Sequence, residues 1–311
     1  MPAVSVIVLV YKVEEYIERC ARSLFGQTLE DIEYVFVDDC TPDASMDVLE
    51  RVLDDYPARR SRVKILRNDV NRGQAYSRRR GVEAAAGDYI IHCDSDDWVE
   101  PEMYARLYAK ALEESLDMVI CRMRRVYPDH VVPVPCIAHA GDIVESLLYM
   151  DVRHYLLDKL ISRRAYEAPP VWPENDMCED TALIIQLGCH CRTWGFVEEE
   201  LYNYDCSSGG ISASVNSLEK VEQIRSNVDL AISCLEARGL GGRYARAILH
   251  LKGWAKIAAF GLPRRYYIRL YPEADLPLFA DRRFTAAERL GHLTKLLGLH
   301  GISKPFKKKK K

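Results

Sequence analysis

Apolar positions follow two alternating rhythms along the first third of the chain, and that alternation predicts the architecture. Val4 to Val10 is a near-continuous apolar run rich in β-branched residues, the pattern of a strand covered on both faces. Ile17, Ala21 and Leu24 then recur at helical spacing, with Glu14, Glu15, Glu18 and Arg19 on the wet side. Ile32 to Val37 predicts a second strand ending at Asp38 and Asp39, and a turn through Thr41, Pro42 and Asp43 opens a helix carrying Met46, Leu49 and Leu53. The cycle repeats with a strand over 63–66, a helix over 74–86 and a strand over 89–92 just before Asp94. Strands and helices alternating in this way imply right-handed crossovers and an α/β fold, a mainly parallel sheet between helices. Ligands bind such sheets beyond the carboxyl ends of the strands, at a switch in strand order. Asp38, Asp39, Asp94 and Asp96 all fall at those ends.

The rhythm changes after residue 115. Strands are expected over 118–121 and 131–134, and prolines at 128, 133, 135, 169, 170 and 173 break the segment into loops. From about Ser217 the chain turns helical, with Val221, Ile224, Val228 and Ile232 on one stripe, a second helix over 244–259 and an amphipathic one over 284–299. The expected organisation is a catalytic domain over 1–216, divided into halves 1–115 and 116–216, a helical extension over 217–303 and a polybasic tail over 304–311.

Composition narrows the classes. A hydrophobic fraction of 48% suits a packed globular core, and a net charge of -3 lacks the basic bias of a nucleic-acid binder, so no nucleic-acid partner is expected. No basic segment precedes Val4 and no run of about 18 apolar residues occurs, so neither a secretion signal nor a membrane span is expected. Ten cysteines scattered through predicted elements then fit reduced thiols in a cytoplasmic protein. Cys189-His190-Cys191 offers soft metal ligands, but no second pair stands at zinc spacing, which favours a structural role. Each lysine of Lys307–Lys311 near an anionic leaflet is worth about 1 kcal/mol. With Leu290, Leu293, Leu296 and Leu297 on the preceding helix, that predicts peripheral contact at the inner membrane face. The competing reading is a helix packed on the domain with a solubilising tail.

Asp94-Ser95-Asp96-Asp97 is the strongest chemical signal. Residues two apart in an extended segment point the same way, so Asp94 and Asp96 stand side by side and repel. Mg²⁺ or Mn²⁺, bound through one or two carboxylates with substrate phosphates completing the shell, would relieve that repulsion. An acidic turn capping the helix near Pro101 is the bland alternative. Asp39 could accept from a base imide or a ribose hydroxyl, or else cap the turn at 41–43.

These residues resemble glycosyltransferase family 2, inverting enzymes of the GT-A fold. The resemblance runs over about residues 3–215: Val4 to Tyr11, Glu14 to Ile17, Ser23-Leu24 with Gln27-Thr28, Phe36 to Asp39, Asn71-Arg72-Gly73 with Arg78 and Gly81, Ala86 to Ile90, and Asp94 to Asp97. It implies that Val10 and Tyr11 lie near the nucleotide base, that Asp39 binds the base, and that Asp94, Ser95 and Asp96 hold ribose and metal diphosphate, with Asp97 as a further ligand. Lys12 departs from the frequent Asn and leaves the contacts beside Tyr11 open. Asp158 to Arg163, Val171 to Glu174 and Glu179-Asp180-Thr181 resemble capsule- and lipopolysaccharide-type members, in which the Asp180 position is the general base; an acid favoured at a helix N-terminus is the structural counterpart. Lys159, Arg163 and Glu179 become candidates for the diphosphate or the acceptor, and Arg78 for the donor phosphates. Tyr202 to Ser212 resembles a mobile loop closing over the donor. The expected partners are a nucleotide sugar, with a leaning to uridine, and a glycan or lipid-linked acceptor. A sugar-nucleotide nucleotidyltransferase would want a glycine-rich loop after the first strand, where Val10-Tyr11-Lys12-Val13 stands. A non-catalytic membrane-associated scaffold is the remaining alternative.

Overall fold

The computed structural model describes residues 1–135, 141–167, 170–207 and 217–299. Four parallel strands carry the N-terminal half: β1 (Val4–Val10), β2 (Ile32–Asp38), β3 (Val63–Arg67) and β4 (Tyr89–Asp94). The rest of the sheet is β5 (Trp98–Val99), β6 (Met118–Val126), β7 (Val131–Pro133), β8 (Lys159–Ser162) and β9 (Trp194–Asp205). The strand order is β3-β2-β1-β4-β8-β6-β9-β5, with β7 pairing β6. Strands β2 and β3 are added on one side of β1 and β4 on the other, so the switch in order falls between the tips of β1 and β4. Strand β8 runs antiparallel between β4 and β6, and β9 runs parallel to β6.

Twelve helices accompany the sheet among the described residues: α1 (Ile17–Phe25), α2 (Ser45–Asp54), α3 (Gln74–Ala84), α4 (Met103–Glu113), α5 (Ile143–Leu148), α6 (Arg164–Glu167), α7 (Glu179–Gly188), α8 (Leu218–Ala237), α9 (Ala245–Ala258), α10 (Arg264–Tyr267), α11 (Asp275–Ala280) and α12 (Ala286–Leu297). The period of two in the strands sorts side chains into two cores. From β4, Tyr89, Ile91 and Cys93 join Leu24 of α1, Leu49 of α2 and Leu107 of α4. Ile90 joins Leu147 of α5, Ile184 of α7, Val228 of α8 and Leu251 of α9 on the other side. Burying each such side chain contributes about 1.5–3 kcal/mol relative to exposure. Helices α8 and α9 thus share a core with the sheet and pack against it. His92 and Asp94 share the face of Ile90, so Asp94 is turned toward the side covered by α7, α8 and α9.

Glycine is required where β1 meets β4: a Cβ on Gly87 would lie 2.6 Å from the Ser5 nitrogen. Each of the nine described cysteines is free. No described helix is long and apolar enough to cross a membrane.

Candidate active site

Strand register brings the two acidic pairs to one edge. Val10 of β1 pairs with Asp38 of β2, and Leu9 pairs with Asp94 of β4. The two tips therefore flank β1, about 10 Å apart at ordinary strand spacing. Asp38 is structural: Oδ1 accepts from the Thr41 N–H at 2.8 Å and Oδ2 pairs with Arg67 at 2.7 Å. Turn capping at 41–43, one of the two roles open to Asp39, thus belongs to its neighbour. Asp39 is buried and accepts from Asn68 Nδ2 at 2.7 Å, from the Arg72 N–H at 2.7 Å and from the Gly73 N–H at 2.9 Å. It holds the 68–73 loop in place and keeps one carboxylate lone pair for a ligand. Beside it the Val10 carbonyl accepts from the Asp39 N–H at 3.0 Å, and the Tyr11 ring is 39% exposed, open to a planar ligand. Lys12 has φ of 54°, a left-handed conformation that Asn adopts more readily than Lys.

The second tip carries the acid cluster. One carboxylate oxygen from each of Asp94, Asp96 and Asp97 lies within 4.8 Å of the others. An all-oxygen donor set of crowded acids fits a hard divalent cation. The surroundings are locked by β9: the Tyr202 hydroxyl donates to Asp97 Oδ2 at 2.7 Å and accepts from the Asp94 N–H at 3.1 Å, while the Asp205 N–H donates to Asp97 Oδ1 at 2.7 Å. Arg19, stacked 3.8 Å from the Trp98 ring centre, donates to the Asp96 carbonyl at 2.8 Å and pairs with Asp205. Asp97 thus spends both oxygens on the scaffold, which leaves Asp94 and Asp96 as the better placed ligands. Burial, against the pull of Arg78, raises the Asp94 carboxyl to about 7, with the charges of Asp96 and Glu179 adding to it. Burial first, and then the charges of Asp94 and Asp96, raise Asp97 as well.

A cleft of about 350 Å³ opens from Asp94 toward α7. Cys178, at φ 61°, turns the chain so that Glu179 and Asp180 begin the helix. Asp180 faces the cleft, its Oδ1 accepting from the Thr181 N–H at 2.7 Å. Burial first, and the charge of Glu179 second, raise its carboxyl to about 7. A carboxylate poised near neutrality is suited to accept a proton. Between the two acids stands Arg78 of α3, buried, with Nε and Nη2 donating to Glu179 Oε1 at 3.1 and 2.9 Å. Removing either partner would strand a buried charge, at a cost of about 3–5 kcal/mol. His92 is buried without a hydrogen-bond partner among the described residues, and burial together with Arg78 holds it neutral. Asp176 ties the two walls: its Oδ1 accepts from the Ala75 N–H at 2.9 Å, and a Cβ on Gly73, at φ 85°, would lie 2.6 Å from its Oδ2.

A match to known families agrees with this geometry. The model of Glycosyl transferase family 2 matches residues 5–161, just over half of the chain. The chain belongs to that family. The putative glycosyltransferase EpsH of Bacillus subtilis (strain 168) is 32% identical over 214 residues, 65% of this chain and 60% of EpsH. The uncharacterized glycosyltransferase EpsJ of the same organism is 40% identical over 135 residues, 43% of this chain and 38% of EpsJ. The chain therefore matches less than two thirds of either relative's length. Among solved structures, S. aureus TarS 1-349 in complex with UDP-GlcNAc superposes with a TM-score of 0.65 at 17% identity, over 94% of this chain and 92% of that one. The mannosyltransferase PcManGT from Pyrobaculum calidifontis, in complex with GDP-Man and Mn²⁺, gives 0.57 at 14% identity, over 95% and 86%. These likenesses show the shared GT-A fold.

Within this family 2 chain, the structure gathers Asp94, Asp96, Asp97, Arg78, Glu179 and Asp180 at one edge, with Ser95 buried in the turn between the acids. Two expected residues leave the candidate set. Lys159 lies in strand β8, fully buried, with Nζ bonded to Asp158 at 2.6 Å and to the Tyr155 carbonyl at 2.7 Å, so it has no reach toward a diphosphate. Arg163 sits past β8 at the amino end of β4, its guanidinium donating to the carbonyls of Gly87 at 2.8 Å and Ala85 at 3.0 Å, at the far edge of the sheet. Arg78 and Glu179, expected at the donor phosphates and at the acceptor or diphosphate, are committed to each other and balance charge between Asp94 and Asp180. Tyr202 to Tyr204, expected in a mobile loop, belong to β9; residues 208–212 of that loop and the lysine tail over 304–311 lie outside the described residues. Sequence reasoning missed Arg19, Tyr202 and Asp176. Each acts through a partner more than 75 positions away or through a backbone group, and neither leaves a local pattern.

Proposed function

We propose that this chain transfers a sugar from a nucleoside diphosphate donor to an acceptor hydroxyl, with inversion at the anomeric carbon, in the assembly of a cell-surface polysaccharide. The observation that carries the reading is that Asp94 and Asp180, from separate elements, line one cleft. An inverting transfer is a single in-line displacement, so it needs a base on the face opposite the leaving diphosphate. Asp180 takes the hydroxyl proton as the new bond forms, and Arg78 limits the repulsion between its charge and Asp94. Asp94 and Asp96, with Asp97 behind them, would hold Mg²⁺ or Mn²⁺, which supplies charge neutralisation for the departing diphosphate. Asp39 and the exposed Tyr11 ring at the β1 and β2 tips offer the base site. A uridine donor is favoured by the likeness to a UDP-GlcNAc complex. A nucleotidyltransferase lacks support, because no glycine-rich loop follows β1.

A screen of nucleotide sugars with Mn²⁺ tests this. One donor is expected to bind and to be slowly hydrolysed, and both effects should vanish with a chelator. Failure of every nucleoside diphosphate sugar to bind would sink the reading, and binding with no turnover under any acceptor would leave only a scaffold.

The acceptor is proposed to be a glycan or lipid-linked, met at the inner membrane face. Leu290 is 56% and Leu297 62% exposed on α12, the helix that precedes the lysine-rich segment in the sequence, and Leu276 is 75% exposed on α11. Removing residues 304–311 should weaken partition onto anionic vesicles by tenfold or more; unchanged binding would refute membrane contact through the tail.

A further inference from the structure

The cleft continues past Asp180 to a wall whose chemistry the transfer step leaves unused. The 149–158 loop runs into β8, which pairs antiparallel with β4, Tyr89 opposite Ser162 and Ile90 opposite Ile161. Continuing that register places the end of the loop beside the tip of β4, on the side away from β1 and Asp39. The base site, the acid cluster and this loop thus follow one another along the strand order, with the loop on the side of the acid cluster away from the base site.

The loop is held firmly. Met150, at φ 60°, donates its N–H to the Leu147 carbonyl at 2.9 Å, and Val152 donates to Ser146 at 3.2 Å. His154 is buried, its ring nitrogens bonded to Thr181 Oγ1 and the Leu147 carbonyl, each at 2.9 Å. Arg153 and Tyr155 line the cleft half-buried, on either side of the buried His154 that lines it too. Across from them the half-buried Trp254 of α9, edge-on to His154 at 5.9 Å, lines the same cleft. Arg153 makes no hydrogen bond or ion pair among the described residues. Four acids share its cleft: Asp176 accepts from the Ala75 N–H, Glu179 pairs with Arg78, and Asp94 and Asp180 are the proposed metal ligand and base; none of the four forms an ion pair with Arg153. A half-buried guanidinium is weakly hydrated and presents a fork that fits carboxylate or phosphate, and such a cation in a ligand cleft calls for an anion from the ligand. Trp254 adds a flat apolar face on which the C–H face of a pyranose can pack.

We propose that Arg153 and Trp254 form the acceptor subsite, and that the acceptor sugar carries its own negative charge, as a carboxylate or a phosphate. The assignment rests on the glycosyltransferase reading above.

Binding of three probes to the full chain with Mg²⁺ and UDP, followed by saturation-transfer NMR, tests it: methyl glucoside, methyl glucuronide and glucose 6-phosphate. The two charged probes should bind at least tenfold more tightly than the glucoside, and the tighter of them identifies the charge as carboxylate or phosphate. Arg153→Gln should erase that preference and Arg153→Lys restore part of it, while Trp254→Ala weakens all three probes and UDP binding stays as in the unaltered chain. Equal binding of charged and neutral probes to the unaltered chain overturns the assignment, as does a loss of UDP affinity in Arg153→Gln that matches the loss for the charged probes. Failure of the glycosyltransferase reading itself would show separately, as no UDP binding by the unaltered chain.

Discussion

Replacing Asp180 with Asn is expected to lower sugar transfer by about 10²- to 10⁴-fold, the usual contribution of a positioned base, while leaving donor affinity intact. The amide keeps the shape of the side chain and removes the proton acceptor. The same change should make the metal-free protein more stable at pH 8. Burial and Glu179 raise the Asp180 carboxyl to about 7 in the folded state, against about 3.9 in an unfolded chain. A carboxyl raised on folding favours the protonated folded form. Its contribution is fully present below pH 4 and is lost as pH rises through 7. After discounting for partial exposure, Asn in its place should add on the order of 1–2 kcal/mol at pH 8 and close to nothing at pH 4. Activity follows the opposite course in the unaltered chain, rising as pH passes through about 7 and the base ionises. Donor hydrolysis and transfer measured beside thermal melts at the two pH values check both halves. Full turnover by Asp180→Asn would show that another group takes the proton.

That the site could be foreseen at all follows from how locally its parts are encoded. Val4 to Val10 and Ile32 to Val37 are apolar because both faces of their strands are covered, and the acids that end such runs lie at the strand tips by construction. Helix stripes such as Val221, Ile224 and Val228 are equally local. What stayed hidden depends on partners distant in sequence. Lys159 reads as a candidate for the diphosphate or the acceptor until Asp158 and the Tyr155 carbonyl are seen to hold it inside β8. Asp38 and Asp39 are adjacent and alike, and only the loops they meet, 41–43 and 68–73, separate a turn cap from a candidate ligand-binding acid. Arg78 and Glu179 are 101 positions apart, and nothing in either segment announces that they consume each other. Trp254 lies in the C-terminal helices, and its place in the cleft follows from packing of α8 and α9 on the sheet, which amphipathic stripes imply only in general terms.

Asp96→Ala should abolish metal-dependent donor binding and leave the fold intact. The contact that pins this turn to α1 runs from Arg19 to the Asp96 carbonyl, a backbone group that alanine retains. The neighbouring Asp97 keeps its bonds to the Tyr202 hydroxyl and the Asp205 N–H, so the link to β9 survives too. At the acid cluster the change removes one oxygen ligand and one charge. The remaining Asp94 loses a like-charged neighbour that helps to raise it, so its carboxyl should fall toward the ordinary range. A single carboxylate beside an already committed Asp97 is a poor cage for a divalent cation that gives up its water reluctantly. Calorimetric titration with Mn²⁺ in the presence of UDP should therefore show affinity reduced by more than tenfold, with the melting temperature of the metal-free chain unchanged or raised. Undiminished Mn²⁺ affinity would place the cation elsewhere, and a lowered melting temperature would mean that the Asp96 side chain serves the scaffold instead of the donor.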